Sequence, residues 1–282
     1  MKLIRGYVVA LGVLVLTGCA SPEPVADAGE QVTLPPSIAP DDSATIRRAV
    51  CVGVLSTSDG LDCPGCDVDA ATVAGWMPDR PVTLLLDSAA TIAGLKAAIR
   101  AANEDMAPGD LLTVSISSHG TQCPDRNGDE EDGYDEGVVL FDGTWWDDDI
   151  WDFLSTLRPC RLELFTDTCH AEGNWRKLGR AVTFGFGFQP RYVQLELNLG
   201  DQRRDAWAGQ IVQFAGCRED SYSYGAADVG GTWTQTLHRK LTPGIRRDAW
   251  FATAAADMPT RQEPALSVYN ASEEFLEGAV FL

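Results

Sequence analysis

Short apolar runs alternate with amphipathic stretches along the chain from position 46 onward. The runs are rich in Val, Leu and Ile, which is typical of strands buried on both faces. The predicted strands are Ala49–Leu55, Pro81–Asp87, Leu111–Ser117, Arg161–Thr166 and Gln210–Ala215. The predicted helices are Asp69–Trp76, Thr91–Met106, Asp147–Leu157 and Thr232–Leu241. Strands that alternate with helices predict an α/β fold, with a mostly parallel central sheet flanked by helices on both faces.

The clearest helical pattern is the one over Thr91–Met106. Its apolar positions recur at three- and four-residue steps, and they are Ile92, Leu95, Ile99 and Ala102. That spacing places them on one face of a helix, which Ser88 or Thr91 can cap.

The first twenty positions have the organisation of an export signal. A basic start is followed by the apolar stretch Gly6–Leu16, which is short for a transmembrane helix and typical of a secretory signal. Leu16-Thr17-Gly18-Cys19 resembles the bacterial lipobox. That resemblance implies a lipoprotein signal peptide over 1–18, cleavage before Cys19 and a diacylglycerol thioether on that cysteine. The alternative is an ordinary signal peptide followed by a cysteine by chance.

Residues 19–45 are rich in Pro, Ala and acidic residues and show no periodicity. This composition predicts a disordered tether between the lipid and a folded domain. We therefore expect a bacterial cell-envelope protein, anchored to a membrane and facing the periplasm or the exterior. Ala20 rather than Asp follows the cysteine, which favours the outer membrane in a Gram-negative cell.

Charge and composition narrow the range of partners. The 282-residue chain has 41 acidic and 22 basic residues, a formal net charge of −19. We do not expect nucleic-acid binding, because phosphate contacts need clustered Lys and Arg. An acidic surface attracts basic substrates or cations instead. With 45% hydrophobic residues, the part after the tether is sufficient for one domain with a substantial core.

His119 and Cys169 each follow an apolar run that ends in a turn. The carboxyl edge of a parallel sheet is where open α/β folds build their sites. An imidazole and a thiol at that edge make a base and a nucleophile, and their 50-residue separation matches the spacing noted for caspase-type peptidases. His170 is a rival base, but adjacent residues of an extended strand point to opposite faces, which places it poorly for Cys169.

Six further cysteines remain after Cys19 and Cys169 are set aside, and they are Cys51, Cys63, Cys66, Cys123, Cys160 and Cys217. In an exported protein they can form disulfides whose connectivity the sequence leaves open. Cys63 and Cys66 have the spacing of a redox motif, with a structural or incidental pair as the alternative. A zinc site is not favoured there, because no second such pair or nearby histidine completes it.

Four ordered motifs resemble those of metacaspases. Ser117–Glu136 resembles the stretch SGHGTQ followed by an acidic loop, and Asp167–Gly173 resembles the nucleophile motif D-x-C-H-S-G. Leu61–Ala71 resembles the upstream L-x-G-C-x-N-D segment, and Ala215–Leu237 the small-subunit strand and the helix after it. The similarity covers about residues 46 to 282, nearly the whole mature chain.

The resemblance implies the caspase-hemoglobinase fold and a cysteine endopeptidase. The domain would span 46–282, with a large-subunit-like part over 46–175, a linker over 176–207 and a small-subunit-like part over 208–282. Cys169 would be the nucleophile and His119 the acid/base group, either through a thiolate–imidazolium pair or by protonating the leaving nitrogen. The N–H groups of Gly120 and Cys169 would form the oxyanion hole. No cofactor is required for this chemistry, and analogy with the family favours a monomer.

The resemblance also implies a primary specificity pocket lined by Asp167 and Asp69, with Ser117 as a third candidate. Two carboxylates in a partly desolvated pocket favour a guanidinium or an ammonium group. We therefore expect protein or peptide substrates cleaved after Arg or Lys rather than after Asp. Val68 stands where the family has Asn. The alternative is that Asp69 serves only as an acidic residue at a helix N-terminus.

The acidic segment predicts a cation site. In metacaspases calcium binds aspartates that match Asp135, Asp147 and Asp148, whereas Arg176 lies near the expected fourth ligand. An EF-hand over 125–136 is the less favoured interpretation, because Glu130 replaces the required glycine. A solvated acidic loop followed by a negatively charged helix start is a further alternative. Hard oxygen ligands favour Ca²⁺, as an activator, over transition metals.

Basic residues cluster between Gly173 and Ala208, in a segment that this family often cuts during activation. They are Arg176, Lys177, Arg180, Arg191, Arg203 and Arg204. An enzyme that cleaves after basic residues can process itself there. The competing hypothesis for the whole chain is a catalytically silent caspase-like domain that acts as a binding or scaffold protein at the envelope.

Overall fold

The structure is a computed structural model, and it describes residues 46–128, 130, 132–173 and 207–280. The predicted signal peptide, Cys19, the tether and the basic residues of the linker lie outside these ranges. Among the described residues, none of the helices combines the length and the apolarity needed to span a membrane.

Eleven strands occur in the described part of the chain. They are β1 (Arg47–Gly53), β2 (Val82–Leu86), β3 (Leu111–Ser117), β4 (Gly120–Pro124), β5 (Tyr134–Leu140), β6 (Gly143–Trp146), β7 (Arg161–Asp167), β8 (Gln210–Ala215), β9 (Gly225–Ala226), β10 (Gly230–Gly231) and β11 (Ala265–Tyr269). The helices are α1 (Cys66–Gly75), α2 (Ile92–Asn103), α3 (Asp147–Ser155), α4 (Thr232–Lys240), α5 (Arg247–Ala256) and α6 (Glu273–Glu277).

The central sheet has six strands in the order β11-β8-β7-β3-β1-β2. All neighbours in it are parallel except β11, which runs antiparallel to β8. The predicted α/β fold with a mostly parallel sheet is thus confirmed. All five predicted strands lie in this sheet. The apolar runs of four of them are buried, whereas β2 lies at the sheet edge and exposes Leu84 and Leu86.

Helices cover both faces of the sheet, as predicted. Successive residues of β1 alternate between two hydrophobic clusters, because side chains of a strand point to opposite faces. Val50 and Val52 pack in the cluster that contains residues of α2 and α3. Ala49 and Cys51 pack in the cluster that contains residues of α1, α4 and α5.

The start of one helix differs from the prediction, and the structure decides between the two predicted caps of another. Helix α1 begins at Cys66 rather than Asp69, after Gly65 in the left-handed region (φ 97°). Asp69 therefore lies within the first turn. Helix α2 is capped by Thr91, whose hydroxyl accepts from the Gly94 N–H at 3.0 Å. Ser88, the other predicted cap, lies in a short 3₁₀ helix before it.

Strands β4, β5 and β6 form a separate antiparallel sheet that the sequence patterns did not predict. The acidic segment 125–136 joins β4 to β5 and enters β5 at Tyr134. Strands rather than helices flank this segment, so the EF-hand interpretation is wrong.

Candidate active site

His119 and Cys169 lie at the same edge of the central sheet. Strands β3 and β7 are parallel neighbours, with Ser117 opposite Asp167 in register. His119 and Cys169 each follow two residues later. The chain beyond the two strands is in close contact, since a Cβ added to Gly120 would lie 1.7 Å from the Cys169 carbonyl oxygen. Only glycine permits this approach of the two backbones.

The His119 ring is half-buried and oriented by one backbone contact. Its Nε2 atom lies 2.8 Å from the Asp62 carbonyl oxygen. A carbonyl oxygen can only accept, so Nε2 carries a hydrogen in this arrangement. In the neutral ring the lone pair is therefore on Nδ1, which is the atom available to take up a proton.

The Cys169 thiol is half-buried, and its Sγ lies 3.9 Å from the Ser223 carbonyl oxygen. Burial raises the pKa of this thiol, and backbone N–H groups of Ser223, Gly120 and Cys169 itself oppose that shift. The N–H groups of Gly120 and Cys169 thus lie near the sulfur. The thiol is consequently protonated in the resting protein near neutral pH.

His170 is poorly placed to act as the base for Cys169, but the reason differs from the one expected. It does not belong to a strand, because β7 ends at Asp167 and His170 has a left-handed backbone (φ 57°). Its Nδ1 lies 2.6 Å from the Glu219 carbonyl oxygen, and its ring packs edge-on against Tyr222. His170 therefore links the turn after β7 to the segment after β8.

The three predicted pocket residues lie together below Cys169. Asp69, Asp167 and Ser117 are 1%, 7% and 2% exposed. Ser117 donates a hydrogen bond to Asp69 at 2.8 Å. A Cβ added to Gly231 would lie 2.0 Å from Asp167 Oδ2 and 2.9 Å from Asp69 Oδ2. The two carboxylates therefore flank one glycine at the start of α4.

Further pocket residues were missed by sequence reasoning. The Gly231 N–H donates to both Asp69 oxygens at 2.8 Å. Asp167 accepts from the Thr234 N–H at 2.9 Å, from the Thr234 hydroxyl at 2.8 Å and from the Ser223 hydroxyl. The sequence signal that could have found them was the pair Gly230-Gly231, because glycine lets a backbone approach another group closely. Hydroxyl residues lie on both sides of this pair.

The pocket carries unbalanced negative charge. Burial, followed by repulsion from Asp167, raises the pKa of Asp69 to about 7, and burial also raises the pKa of Asp167. Their protein partners donate hydrogen bonds, which favours the ionised form. Within the described ranges, no Lys or Arg forms an ion pair with either carboxylate.

The predicted metal residues also share one neighbourhood. Asp147 and Asp135 are fully buried. Burial, followed by repulsion from Glu130, Asp148 and Asp135, raises the pKa of Asp147 to about 8. Both carboxylate oxygens of Asp147 and Oδ1 of Asp135 are buried, and no described side chain donates a hydrogen bond to them. Arg126 donates to the other Asp135 oxygen at 2.6 Å, and Asn127 to Asp148 at 2.7 Å.

Two observations on this acidic neighbourhood disagree. In the described residues no three ligand side chains converge at metal-binding geometry, whereas the buried oxygens without partners fit a hard cation. Arg126 offsets part of the negative charge on Asp135, and no described cation pairs with Asp147. The donor set thus fits Ca²⁺ in chemistry.

Cys63 and Cys66 form a disulfide. Cys63 directly follows Asp62, whose carbonyl oxygen orients His119. Cys66 is the first residue of α1, the helix that contains Asp69. The disulfide therefore joins these two parts of the site. Among the residues that the structure describes, five other cysteines are free thiols, and they are Cys51, Cys123, Cys160, Cys169 and Cys217.

Three raised pKa values give a testable pH dependence of stability. Asp69, Glu136 and Asp147 have folded-state pKa values of about 7, 8 and 8, against ordinary values of 3.8, 4.5 and 3.8, chiefly because of burial. The folded state therefore takes up protons that the unfolded chain does not hold between pH 4 and 8. The resulting stabilisation is present at low pH and is lost as pH rises through these values.

We expect the free energy of unfolding of calcium-free protein to fall by a few kcal/mol from about pH 5.5 to about pH 8.5, since one pKa unit corresponds to about 1.4 kcal/mol. Urea denaturation of Cys169→Ala at the two pH values measures it. In the variant Asp69→Asn/Glu136→Gln/Asp147→Asn the difference should shrink. Stability that is constant or higher at pH 8.5 would contradict the prediction.

Comparison with known proteins identifies the family. The caspase domain family matches residues 46–273. Metacaspase-1 of Cryptococcus neoformans var. neoformans serotype D (strain JEC21) is 30% identical over 203 residues, which cover 66% of this chain and 41% of that protein. Metacaspase-4 of Arabidopsis thaliana is 28% identical over 141 residues, covering 45% and 34% of the two chains. The chain thus spans less than half the length of these relatives.

A crystal structure of a Geobacter sulfurreducens protein has the same fold. It aligns with a TM-score of 0.64 and 24% sequence identity, over 84% of this chain and 98% of that one. The family match extends over most of the chain, and it includes every residue of the sheet edge and the pocket described above. This chain therefore belongs to the caspase domain family, and the two relatives compared above are metacaspases.

Proposed function

We propose that this protein is a cysteine endopeptidase of the metacaspase type that hydrolyses peptide bonds after arginine or lysine. One observation carries the proposal: Asp69 and Asp167 are two buried carboxylates that flank one glycine and have no cationic partner among the described residues. Asp167 is the last residue of β7, two residues before Cys169. A free guanidinium or ammonium group is the complement of that pocket.

Cys169 is the nucleophile in this proposal, and His119 handles the proton. The raised pKa of the Cys169 thiol favours a neutral resting pair over a preformed thiolate–imidazolium pair. As sulfur attacks the peptide carbonyl carbon, Nδ1 of His119 takes the thiol proton and later delivers it to the leaving nitrogen. The N–H groups of Gly120 and Cys169 stabilise the oxygen that becomes negative. Water then hydrolyses the thioester.

The pocket carboxylates bind the side chain of the residue before the scissile bond. Asp167 and Asp69 accept hydrogen bonds from its cationic end, and Ser117 holds Asp69 in place. An aspartate side chain at the same substrate position would add a third negative charge to a buried pocket. We therefore exclude caspase-like cleavage after Asp from the proposal.

A panel of fluorogenic peptides with Arg, Lys, Asp or Leu before the scissile bond tests the proposal, with and without Ca²⁺. Hydrolysis of the Arg and Lys peptides is the expected result. Cleavage only after Asp would overturn the pocket assignment and leave the peptidase proposal intact. No hydrolysis of any peptide, even by protein already cut between 174 and 206, would favour the silent scaffold.

Calcium is proposed as an activator that Asp135, Asp147 and Asp148 would hold. It would supply positive charge between the start of β5 and the start of α3. We expect Asp147→Asn to weaken Ca²⁺ binding at least about tenfold, because the buried carboxylate is the ligand with unpartnered oxygens. Isothermal titration calorimetry of Cys169→Ala protein measures the affinity without self-cleavage.

Asp105→Asn is the matched control for the calcium measurement, since Asp105 is an exposed aspartate paired with Arg48. Its affinity for Ca²⁺ should equal that of the parent. Absence of binding to the parent, or equal affinity in Asp147→Asn, would contradict the calcium proposal.

Self-processing in the basic linker is part of the same proposal, and its sites lie outside the described residues. Wild-type protein and Cys169→Ala are compared by gel electrophoresis after Ca²⁺ is added. Fragments from the wild type alone are expected, and identical intact bands would reject self-processing.

The lipid anchor on Cys19 is proposed from the lipobox. Radiolabelled palmitate that labels wild type and Cys19→Ala equally would reject it.

A further inference from the structure

Gln262 is a buried amide that contacts the pocket from a distant part of the chain. It lies between α5 and β11 and is 1% exposed. Its Nε2 donates to the Gly216 carbonyl oxygen and to the Ser223 hydroxyl oxygen, both at 2.9 Å. Its Oε1 accepts from the Tyr224 N–H at 3.2 Å. Both donors and the acceptor of this side chain are thus used on the segment after β8.

These contacts determine the direction of a hydrogen-bond chain. A hydroxyl group has one hydrogen to donate. Because Ser223 accepts from Gln262, its own hydrogen is directed to Asp167 Oδ1. Asp167 therefore accepts a hydrogen bond from Ser223 rather than facing the lone pairs of its hydroxyl oxygen. Accepting this bond favours the ionised form of Asp167. The Ser223 carbonyl oxygen lies against Cys169 Sγ, so the same residue joins the pocket to the reacting sulfur.

We propose that Gln262 is a positioning residue for substrate specificity: it orients the Ser223 hydroxyl so that Asp167 presents an ionised carboxylate to a basic substrate side chain. The inference rests on the proposed function and names a residue far from the pocket in sequence. Arg261, the preceding residue, packs its guanidinium over the Tyr224 ring at 4.4 Å, so two neighbouring residues hold the same segment.

The test compares fluorogenic peptides that differ only in arginine or citrulline before the scissile bond. Citrulline has the shape of arginine with a neutral urea group, so the ratio of the two kcat/KM values reports recognition of charge. The variants are Gln262→Met, Ser223→Ala and the double variant. Asn103→Leu is the control, because Asn103 is a buried amide with similar backbone hydrogen bonds to Arg158, away from the pocket.

We expect Gln262→Met to lower the arginine-to-citrulline ratio about tenfold, since support of a charged group is lost. Ser223→Ala should do the same, and the double variant should be no worse than Ser223→Ala, because the effect of Gln262 passes through that hydroxyl. Asn103→Leu should lower the melting temperature and leave the ratio unchanged.

Two results would overturn the inference. One is a ratio in Gln262→Met within about twofold of wild type, and the other is full additivity in the double variant, which would indicate independent effects. A wild-type protein that does not distinguish arginine from citrulline would overturn the proposed specificity itself, before Gln262 is in question.

Discussion

Replacing Cys169 by alanine is expected to reduce hydrolysis of an arginyl peptide to background, a loss of about 10⁴-fold or more. The reason is that the sulfur forms the covalent bond to the substrate. The neighbouring thiol of Cys217 is fully buried and contacts the carbonyl oxygens of Thr168 and Ser221 instead. Initial rates with the arginyl fluorogenic peptide measure the loss, and the unfolding transition shows that the variant is folded.

Two further variants make this measurement specific. His119→Ala should lose about 10²- to 10⁴-fold, the usual contribution of a positioned acid/base group. The double variant should be no worse than Cys169→Ala, because the pair acts as one unit. Cys160→Ala is the control, since Cys160 is a buried thiol next to the opposite end of β7. Wild-type rates from Cys169→Ala would refute the assignment of the nucleophile.

Changing Asp167 to asparagine is expected to reduce kcat/KM for an arginyl peptide by about 10²-fold or more, while the citrulline peptide loses less than about tenfold. The substitution keeps the shape and removes the charge that pairs with the guanidinium. Truncation of one partner of a buried charge pair costs about 2–5 kcal/mol. Steady-state kinetics on the two peptides separate loss of charge recognition from general damage to the site.

Asp69→Asn adds a pH readout to this prediction. In the wild type, kcat/KM for the arginyl peptide should fall as pH drops through about 7, because Asp69 then takes up a proton. The arginine-to-citrulline ratio of Asp69→Asn should lose this dependence, since asparagine does not titrate. Asp220→Asn is the control, because Asp220 is exposed on the segment that carries Ser223. Equal losses on both peptides would contradict charge recognition.

The sequence predicted the central sheet because strands buried on both faces appear as continuous apolar runs. Leu111–Ser117 is the clearest case, since its predicted and observed bounds are identical and all its residues are buried. Strands β4 to β6 were missed because acidic and glycine residues interrupt any alternation there. Strand β11 was missed because a five-residue run does not distinguish a strand from a helix segment.

The sequence predicted those residues of the site that belong to short continuous motifs. His119, Cys169, Asp167 and Ser117 lie next to strand ends, so parallel pairing alone brings them to one edge. Ser223, Thr234 and Gln262 were not named, because hydroxyl and amide side chains occur at many positions along the chain. Only the packing of α4 and the segment before β11 against that edge selects these three.

Sequence alone determined the α/β class, the edge at which the imidazole and the thiol meet, and the excess of negative charge. These properties follow from local composition and from the direction of buried strands. Tertiary structure decided that Asp69 and Asp167 flank one glycine, that their partners donate hydrogen bonds, and that no described cation neutralises them. The physical reason is that desolvation and hydrogen-bond direction depend on groups far apart in the chain, and folding alone brings those groups into contact.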